Sequence, residues 1–173
     1  MEDEDLEIKR VAVIGAGSMG SGIAYTCTMK GYEVSITDVN EELLKRGTTR
    51  IRQMIVDGVS RGKLMPKEAE AVMSKVKGTT NLEEAVRDVD LVIEAVFENL
   101  NIKKDIFKKL DAETPAHAIL ASNTSAMSIS EMAKTTKRPD KVLGLHFFNP
   151  PYAMKLVEVV MSEQTSEETR QAA

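Results

Sequence analysis

A short apolar run that leads straight into three closely spaced glycines constrains the fold of this chain more than any other feature. The run is Val11-Ala12-Val13-Ile14, and Gly15-Ala16-Gly17-Ser18-Met19-Gly20 follows it directly. Consecutive apolar residues are typical of a strand buried on both faces of a parallel sheet. Apolar residues then recur four apart at Met19, Ile23 and Cys27, which indicates a helix. The segment therefore predicts a strand, a tight glycine turn and a helix.

The glycine spacing G-x-G-x-x-G in that setting predicts a binding site for the diphosphate of a dinucleotide. The first glycine permits the tight turn, the second lets the backbone approach the diphosphate, and the third lets helix and strand pack closely. Unpaired N–H groups and the helix dipole attract the anion. Asp38 stands 18 residues after Gly20, near the spacing of about 20 residues for a carboxylate that binds a ribose. Because that carboxylate would repel a 2′-phosphate, the residues predict NAD(H) over NADP(H), with FAD as the main rival.

Further apolar runs alternate with helical patterns along the whole chain. The runs that predict strands are Val34–Thr37, Leu91–Ala95, Ala118–Ala121, Val142–Leu145 and Leu156–Val160, with a weaker candidate at Lys75–Gly78. Helices are predicted over Ser18–Lys30, Asn40–Ser60 and Asn101–Leu110, with further starts at Pro66, Thr165 and two capping boxes, Thr80 with Glu83 and Ser128 with Glu131. This alternation predicts an α/β fold, a Rossmann-like doubly wound and mostly parallel sheet with helices on both faces. We expect a flexible acidic leader over residues 1–8 and one domain over residues 9–173.

Composition and charge narrow the classes of function. The chain has 173 residues, and 23 Lys and Arg against 27 Asp and Glu give a net charge of −4. This mild acidity, without a basic block, argues against a nucleic-acid partner. No apolar run approaches the roughly 20 residues of a membrane span, and the acidic start is unlike a targeting peptide. One cysteine and two histidines form neither a disulfide nor a zinc cluster. We expect a soluble cytoplasmic protein with no metal site and no membrane partner.

Polar residues follow the later strands at their carboxyl ends, where open α/β sheets bind ligands. Ser125 follows one strand, and His146 and Asn149 follow the next. Glu158 stands between two valines on the last strand; an apolar environment makes a carboxylate costly unless it is paired, so we expect it to pair with His146. A histidine titrates near neutrality and can take a hydroxyl proton while a hydride leaves for a nicotinamide. His117, in a polar loop, is expected to be exposed and without a role.

Five segments carry a pattern that is more specific than the glycine turn alone. They are Val13–Gly20, Glu94–Leu100, Ala121–Ser125, His146–Pro150 and Met154–Val159. In this order and at these intervals, they resemble the NAD-binding domain of the L-3-hydroxyacyl-CoA dehydrogenases of fatty-acid β-oxidation, from about Lys9 to the end of the chain. The resemblance implies NAD as the cofactor, an acyl-CoA as the substrate, and reversible oxidation of L-3-hydroxyacyl-CoA to 3-oxoacyl-CoA.

The resemblance also implies roles for individual residues. His146 would be the general base, oriented by Glu158, with Ser125 and Asn149 beside the reacting atoms. Asp38 would hold the adenosine ribose. The implied cofactor contacts are Gly15, Gly17, Ser18, Met19, Gly20, Asp38, Glu98, Lys103, Ser125 and Asn149. The implied substrate contacts are Ser125, Asn149, Arg61 and Lys103.

Two features keep other functions open. Met54 stands where family members have a serine that contacts CoA. The sequence Asn149-Pro150-Pro151-Tyr152 resembles a related branch, gulonate dehydrogenase and λ-crystallin, whereas Met154-Lys155-Leu156 resembles the acyl-CoA branch and favours it. The alternatives are therefore a dehydrogenase of a small hydroxy or sugar acid, and a non-catalytic NAD(H)-binding module.

Family members continue with another strand and an all-helical C-terminal domain, which adds an asparagine to the site and much of the dimer contact. We expect that domain to be absent from this chain, with the Rossmann domain truncated at its C-terminal end. The intact protein is then expected to be a homodimer, and the chain by itself to turn over poorly.

Overall fold

The computed structural model of the chain describes residues 7–173, so residues 1–6 of the predicted leader lie outside the described residues. Seven strands form one sheet in the order β3-β2-β1-β4-β5-β6-β7. They are β1 (Arg10–Ile14), β2 (Glu33–Thr37), β3 (Val76–Thr79), β4 (Leu91–Glu94), β5 (Ile119–Ser122), β6 (Val142–Phe147) and β7 (Val157–Met161). All neighbouring strands are parallel except β6 and β7, which are antiparallel. Even the weaker strand candidate forms a strand.

Helices connect the strands, and most begin where the sequence predicts. They are α1 (Ser18–Met29), α2 (Glu41–Ser60), α3 (Pro66–Ser74), α4 (Leu82–Val86), α5 (Leu100–Glu113), α6 (Ile129–Ala133) and α7 (Glu167–Ala172), with a 3₁₀ turn at Pro139–Lys141. Ser128 caps α6, as predicted. The predicted cap at Thr80 is wrong by one residue. The side-chain oxygen of Asn81 caps α4 instead, by accepting the backbone N–H of Glu84.

Residues that alternate along each central strand fill two cores, one on each face of the sheet. Val11 and Val13 pack with α1 and α2 in one core. Ala12 and Ile14 pack in the other, together with Phe107 of α5. Burial on both faces explains why the strands read as continuous apolar runs. The doubly wound, mostly parallel Rossmann-like sheet with helices on both faces is therefore confirmed.

The order of the strands determines where a ligand can bind. The chain builds the sheet outward from β1 to β3, and then returns to place β4 on the other side of β1. Connections therefore leave β1 and β4 towards opposite faces, and a crevice opens between them at their carboxyl ends. The glycine turn follows β1, and Ser125 follows β5. His146 lies near the end of β6, at the same edge of the sheet.

Candidate functional site

The glycine turn has the shape that a diphosphate requires. A Cβ atom at Gly20 would lie 1.8 Å from the carbonyl oxygen of Gly15, so this close packing of turn and helix requires glycine. A Cβ at Gly17, in contrast, would have no heavy atom within 4 Å, so the backbone there is open to an approaching ligand. Within residues 7–173, no side chain caps the N-terminus of α1. Its first N–H groups therefore remain available to bind an anion.

Asp38 is held against the glycine turn. One carboxylate oxygen accepts the Ala16 N–H at 2.7 Å, and the other accepts the Val39 N–H at 2.7 Å. An ionised carboxylate offers about four acceptor positions, so two remain for hydroxyl groups. The residue is thus oriented by the backbone and can still accept hydrogen bonds from a ribose, which fits the predicted role.

A cleft of about 530 Å³ opens over the glycine turn and Asp38 and is called the turn cleft here. Its walls include three exposed apolar side chains, those of Val39, Phe97 and Ile102. Sequence reasoning missed these side chains as site residues. Their position was the available signal, because Val39 follows Asp38 directly and Phe97 lies just beyond the carboxyl end of β4.

A second cleft, of about 370 Å³, continues the first and is called the histidine cleft. It shares Met19, Ala95 and Val96 with the turn cleft, so the two form one groove across the crevice between β1 and β4. The structure brings most of the predicted chemistry together here. The predicted site residues that line it are Met19, Glu98, Lys103, Ser125, His146 and Asn149.

His146 and Glu158 form a hydrogen-bonded pair at the histidine cleft. The imidazole Nδ1 lies 2.8 Å from a carboxylate oxygen of Glu158, because antiparallel pairing of β6 and β7 sets the two residues opposite each other. The imidazole is 19% exposed and also packs against Phe148, with ring centroids 4.7 Å apart. When ionised Glu158 accepts the Nδ1–H, the lone pair is left on Nε2, which can then act as a base.

The environment predicted for Glu158 is wrong, although its partner is as predicted. Its side chain is 53% exposed, and every residue of β7 is exposed. The flanking valines face solvent because, within the part of the chain that the structure describes, β7 is the last strand of the sheet. Strand register, and not the cost of burial, therefore brings the carboxylate to the imidazole.

A buried ion pair lies beneath the floor of the histidine cleft. Lys103 and Glu94 are 1% and 0% exposed, and the ammonium donates to both carboxylate oxygens of Glu94, at 2.8 and 3.0 Å. Glu94 also accepts the hydroxyl of Ser122 at 2.6 Å and the backbone N–H of Val96 at 2.7 Å. Lys103 lines the histidine cleft although its side chain is almost completely buried, and its contact with cofactor or substrate stays a prediction.

Glu98 connects the buried pair to the surface of the cleft. Its carboxylate lies 3.3 Å from the Lys103 ammonium and accepts the hydroxyl of Thr124. Partial burial would raise the pKa of Glu98, but this hydrogen bond and the lysine charge outweigh burial and hold that pKa below its ordinary value. A half-exposed, ionised carboxylate therefore faces the groove.

Arg61, predicted to contact the substrate, lies outside the histidine cleft. It lines a third cleft of about 380 Å³ between α1 and α2, called the tyrosine cleft. Tyr25 and Tyr152 meet edge to face there, with ring centroids 6.2 Å apart. Lys30 and Lys63 line the same cleft, and so does Met54. The predicted substrate contacts are thus divided between two clefts.

His117 lies at the opposite edge of the sheet, in the loop before β5. Its Nε2 is 3.1 Å from Asp90, which also accepts the backbone N–H groups of Lys9 and Arg10. Burial would raise the pKa of Asp90, but these hydrogen bonds together lower it. The histidine is half-exposed, as expected, but it has a structural partner. The expectation that it has no functional role stays a prediction.

Cys27 is buried in the core, and burial raises the pKa of its thiol to about 12. Across residues 7–173, His, Cys, Asp and Glu form no group of three or more that could hold a metal ion. The helices in the same range are too short or too polar to cross a membrane.

Comparison with known proteins identifies the family. A sequence profile of the 3-hydroxyacyl-CoA dehydrogenase NAD-binding domain matches residues 10–173. The chain belongs to this family. Membership confirms the resemblance drawn from the five sequence segments, and it confirms NAD as the cofactor.

Relatives of the chain are longer than the chain itself. It is 45% identical to a protein named as a probable 3-hydroxybutyryl-CoA dehydrogenase from Bacillus subtilis, over 95% of the chain and 57% of that protein. It is 44% identical to a 3-hydroxybutyryl-CoA dehydrogenase from Clostridioides difficile, over 92% and 57%. The crystal structure of (S)-3-hydroxybutyryl-CoA dehydrogenase from Ralstonia eutropha matches with a TM-score of 0.92 and 35% identity, over 96% and 58%.

Location and assembly are not determined by family membership. A relative from Brassica napus, 42% identical over 92% of the chain and 22% of that protein, is named as a glyoxysomal β-oxidation protein. The family therefore occurs in more than one compartment. The cytoplasmic location and the homodimer stay predictions.

Proposed function

We propose that this chain is the NAD-binding part of a dehydrogenase that oxidises L-3-hydroxyacyl-CoA thioesters to 3-oxoacyl-CoA. One observation carries the proposal: an imidazole paired to a carboxylate at 2.8 Å lies in a cleft that is continuous with a dinucleotide-binding turn. The names of these relatives, both 3-hydroxybutyryl-CoA dehydrogenases, support the substrate class.

The two clefts of the groove bind different halves of the cofactor. The free N–H groups of α1 bind the diphosphate, and Asp38 accepts hydroxyls of the adenosine ribose on the β2 side. The other half of the cofactor then lies in the histidine cleft, on the β4 and β5 side, where Glu98 can accept ribose hydroxyls. Bound NAD⁺ supplies the acceptor for the hydride that leaves C3 of the substrate.

His146 moves the proton. As the C3–H electron pair leaves and the C3=O double bond forms, the hydroxyl proton passes to Nε2 of the imidazole. Glu158 stabilises the imidazolium that results, and the same proton returns when the reaction runs in reverse. Ser125 and Asn149 line the same cleft and can hydrogen-bond the 3-oxygen or the nicotinamide amide.

The position of the tyrosine cleft favours a CoA thioester over a small acid. Asn149 lines the histidine cleft and Tyr152 lines the tyrosine cleft. These two residues are three positions apart in the chain, a distance of at most about 11 Å. The connection between them is held on α1, because a Cβ at Gly22 would lie 3.0 Å from the ring of Pro151. A long thioester can occupy both clefts at once, and a sugar acid would occupy one.

The cations of the tyrosine cleft suit the phosphates of CoA. Lys30, Arg61 and Lys63 line it beside one carboxylate, Asp57, and within residues 7–173 none of the three cations has a carboxylate partner within 4 Å. Unpaired cations beside aromatic rings can bind phosphate groups and stack on an adenine. We therefore assign the nucleotide part of CoA to this cleft.

The test compares two histidine variants in the full-length protein. With acetoacetyl-CoA and NADH, we expect His146→Gln to lower kcat by about 10²- to 10⁴-fold, since it removes the general acid and base. The affinity for NADH should change less than about twofold, because hydrogen bonds to the diphosphate and ribose remain. His117→Gln is the matched control, and it should leave kcat unchanged because His117 lies at the opposite edge of the sheet.

Other outcomes would replace the proposal. Oxidation of L-gulonate with no activity on CoA thioesters would show a dehydrogenase of a small acid. Tight NADH binding by the wild type with no turnover of either substrate class would show a non-catalytic binding module. An unchanged kcat in His146→Gln would remove His146 from the mechanism.

A further inference from the structure

Glu94 occupies a place that stability alone does not explain. It ends β4 as a fully buried carboxylate, and the side chains that donate to it, those of Lys103 and Ser122, are buried as well. Taking a carboxylate and an ammonium out of water costs several kcal/mol per ion, and an apolar pair of similar volume is often as stable. Glu94 also does not line any of the three clefts described above.

Those contacts lead to both walls of the histidine cleft. On one side, Glu94 accepts the backbone N–H of Val96, in the segment that follows β4. On the other side, the Lys103 ammonium that binds Glu94 also lies 3.3 Å from a carboxylate oxygen of Glu98 and 3.4 Å from the carbonyl oxygen of Val96. Glu98 in turn accepts the hydroxyl of Thr124, which precedes Ser125 in the turn that follows β5. One buried carboxylate is thus connected to two loops that line the cleft.

We propose that Glu94 is a positioning residue for the nicotinamide end of the cofactor. It holds the ammonium of Lys103, which sets the Glu98 carboxylate and, through it, the turn that carries Ser125. The inference rests on the proposed function in one respect, the assignment of the nicotinamide end to the histidine cleft. The adenosine end should be independent of Glu94, because Asp38 is held by the glycine turn instead.

The experiment compares NADH with ADP-ribose, two ligands that differ at the nicotinamide end. ADP-ribose contains the adenosine and diphosphate of the cofactor but lacks the nicotinamide ring, so it binds the turn cleft without filling the histidine cleft. The variant is Glu94→Gln with Lys103→Met, in the full-length protein. Both changes are made together because Glu94→Gln alone would leave a buried ammonium short of a charged partner. Affinities are measured by titration calorimetry.

We expect the variant to bind NADH about tenfold more weakly, the loss of one charge-assisted hydrogen bond, and ADP-ribose within twofold of the wild type. The matched control is Lys104→Met with Glu131→Gln, which removes a lysine–glutamate pair between α5 and α6, 2.7 Å apart and outside the clefts described above. Both ligands should bind the control variant within twofold of the wild type. Equal losses for NADH and ADP-ribose, or no loss for NADH, would overturn the proposal.

A second comparison tests the route through Glu98. Glu98→Gln should weaken NADH binding by itself. Adding the Glu94→Gln and Lys103→Met changes to that variant should lower the affinity less than twofold further, because residues that act through one another are not additive. Full additivity would overturn the proposed route. None of these titrations uses an acyl substrate, so a wild type that binds NADH but fails to reduce acetoacetyl-CoA would refute the proposed function separately.

Discussion

Two nitrogen–carboxylate pairs lie at the carboxyl edge of the same sheet, each with 2.8 Å between the nitrogen and the carboxylate oxygen. The pair of Lys103 and Glu94 is sealed from solvent, and every hydrogen-bonding position it uses is directed at the protein. The pair of His146 and Glu158 is partly open to water. Distance therefore says little about what such a pair does. Burial makes the first pair a rigid support, and exposure leaves the second able to exchange a proton.

The largest difference between the pairs should appear in stability. Glu94→Gln is expected to lower the free energy of unfolding by about 3–5 kcal/mol, because it leaves the Lys103 ammonium buried without its main partner. Glu158→Gln should lower it by less than about 1 kcal/mol, as is usual for exposed pairs. Urea unfolding at pH 7 measures both.

The double variant Glu94→Gln with Lys103→Met provides the control for that measurement. Removing both charges should recover most of the stability that Glu94→Gln loses. Equal, small losses in Glu94→Gln and Glu158→Gln would mean that burial does not separate the two pairs.

The second difference should appear in turnover. Glu158→Gln should lower kcat by about 10- to 100-fold, which corresponds to a charge-assisted hydrogen bond of about 1.5–3 kcal/mol to the imidazolium. The NADH affinity should stay within twofold of the wild type. Steady-state kinetics with acetoacetyl-CoA, beside an NADH titration, tests this. A raised KM with unchanged kcat would assign Glu158 to substrate binding instead.

The smallest effect concerns Glu98, which links the buried pair to the cleft. Its pKa is below the ordinary value of 4.5 in the folded chain, so its contribution to stability is present above pH 4.5 and is lost as the pH falls through the folded value. We expect the free energy of unfolding to decline below about pH 4.5 and to decline less steeply in Glu98→Gln. Urea unfolding between pH 6 and pH 3 gives both curves, and parallel curves would contradict the assignment.

Local chemistry explains which parts of the fold could be predicted from the sequence. The path from β1 through the glycine turn to Asp38 depends on residues close together in the chain, and it forms as expected. The cap of α4 was misplaced because Thr80 and Asn81 are adjacent and both can accept a hydrogen bond. The local sequence pattern therefore does not determine which of the two residues caps the helix.

Tertiary structure decides the parts that could not be predicted. The four lysines of α5 look alike in the sequence, and only the position of Glu94 on β4 shows that Lys103 is the buried one. The valines beside Glu158 suggest burial, but within residues 7–173 β7 lies at the edge of the sheet and they are exposed. Arg61 was grouped with Ser125, and the fold separates them into different clefts.

The antiparallel register of β6 and β7 makes the reaction sensitive to the length of the loop between them. Side chains alternate between the two faces of a strand, so a shift of one residue would replace Glu158 opposite His146 by a valine. A deletion or insertion between Phe148 and Leu156 that moved this register by one residue would therefore disable the base while most of the sheet remained intact. Exact alignment of two neighbouring strands is what keeps the acid and the base together.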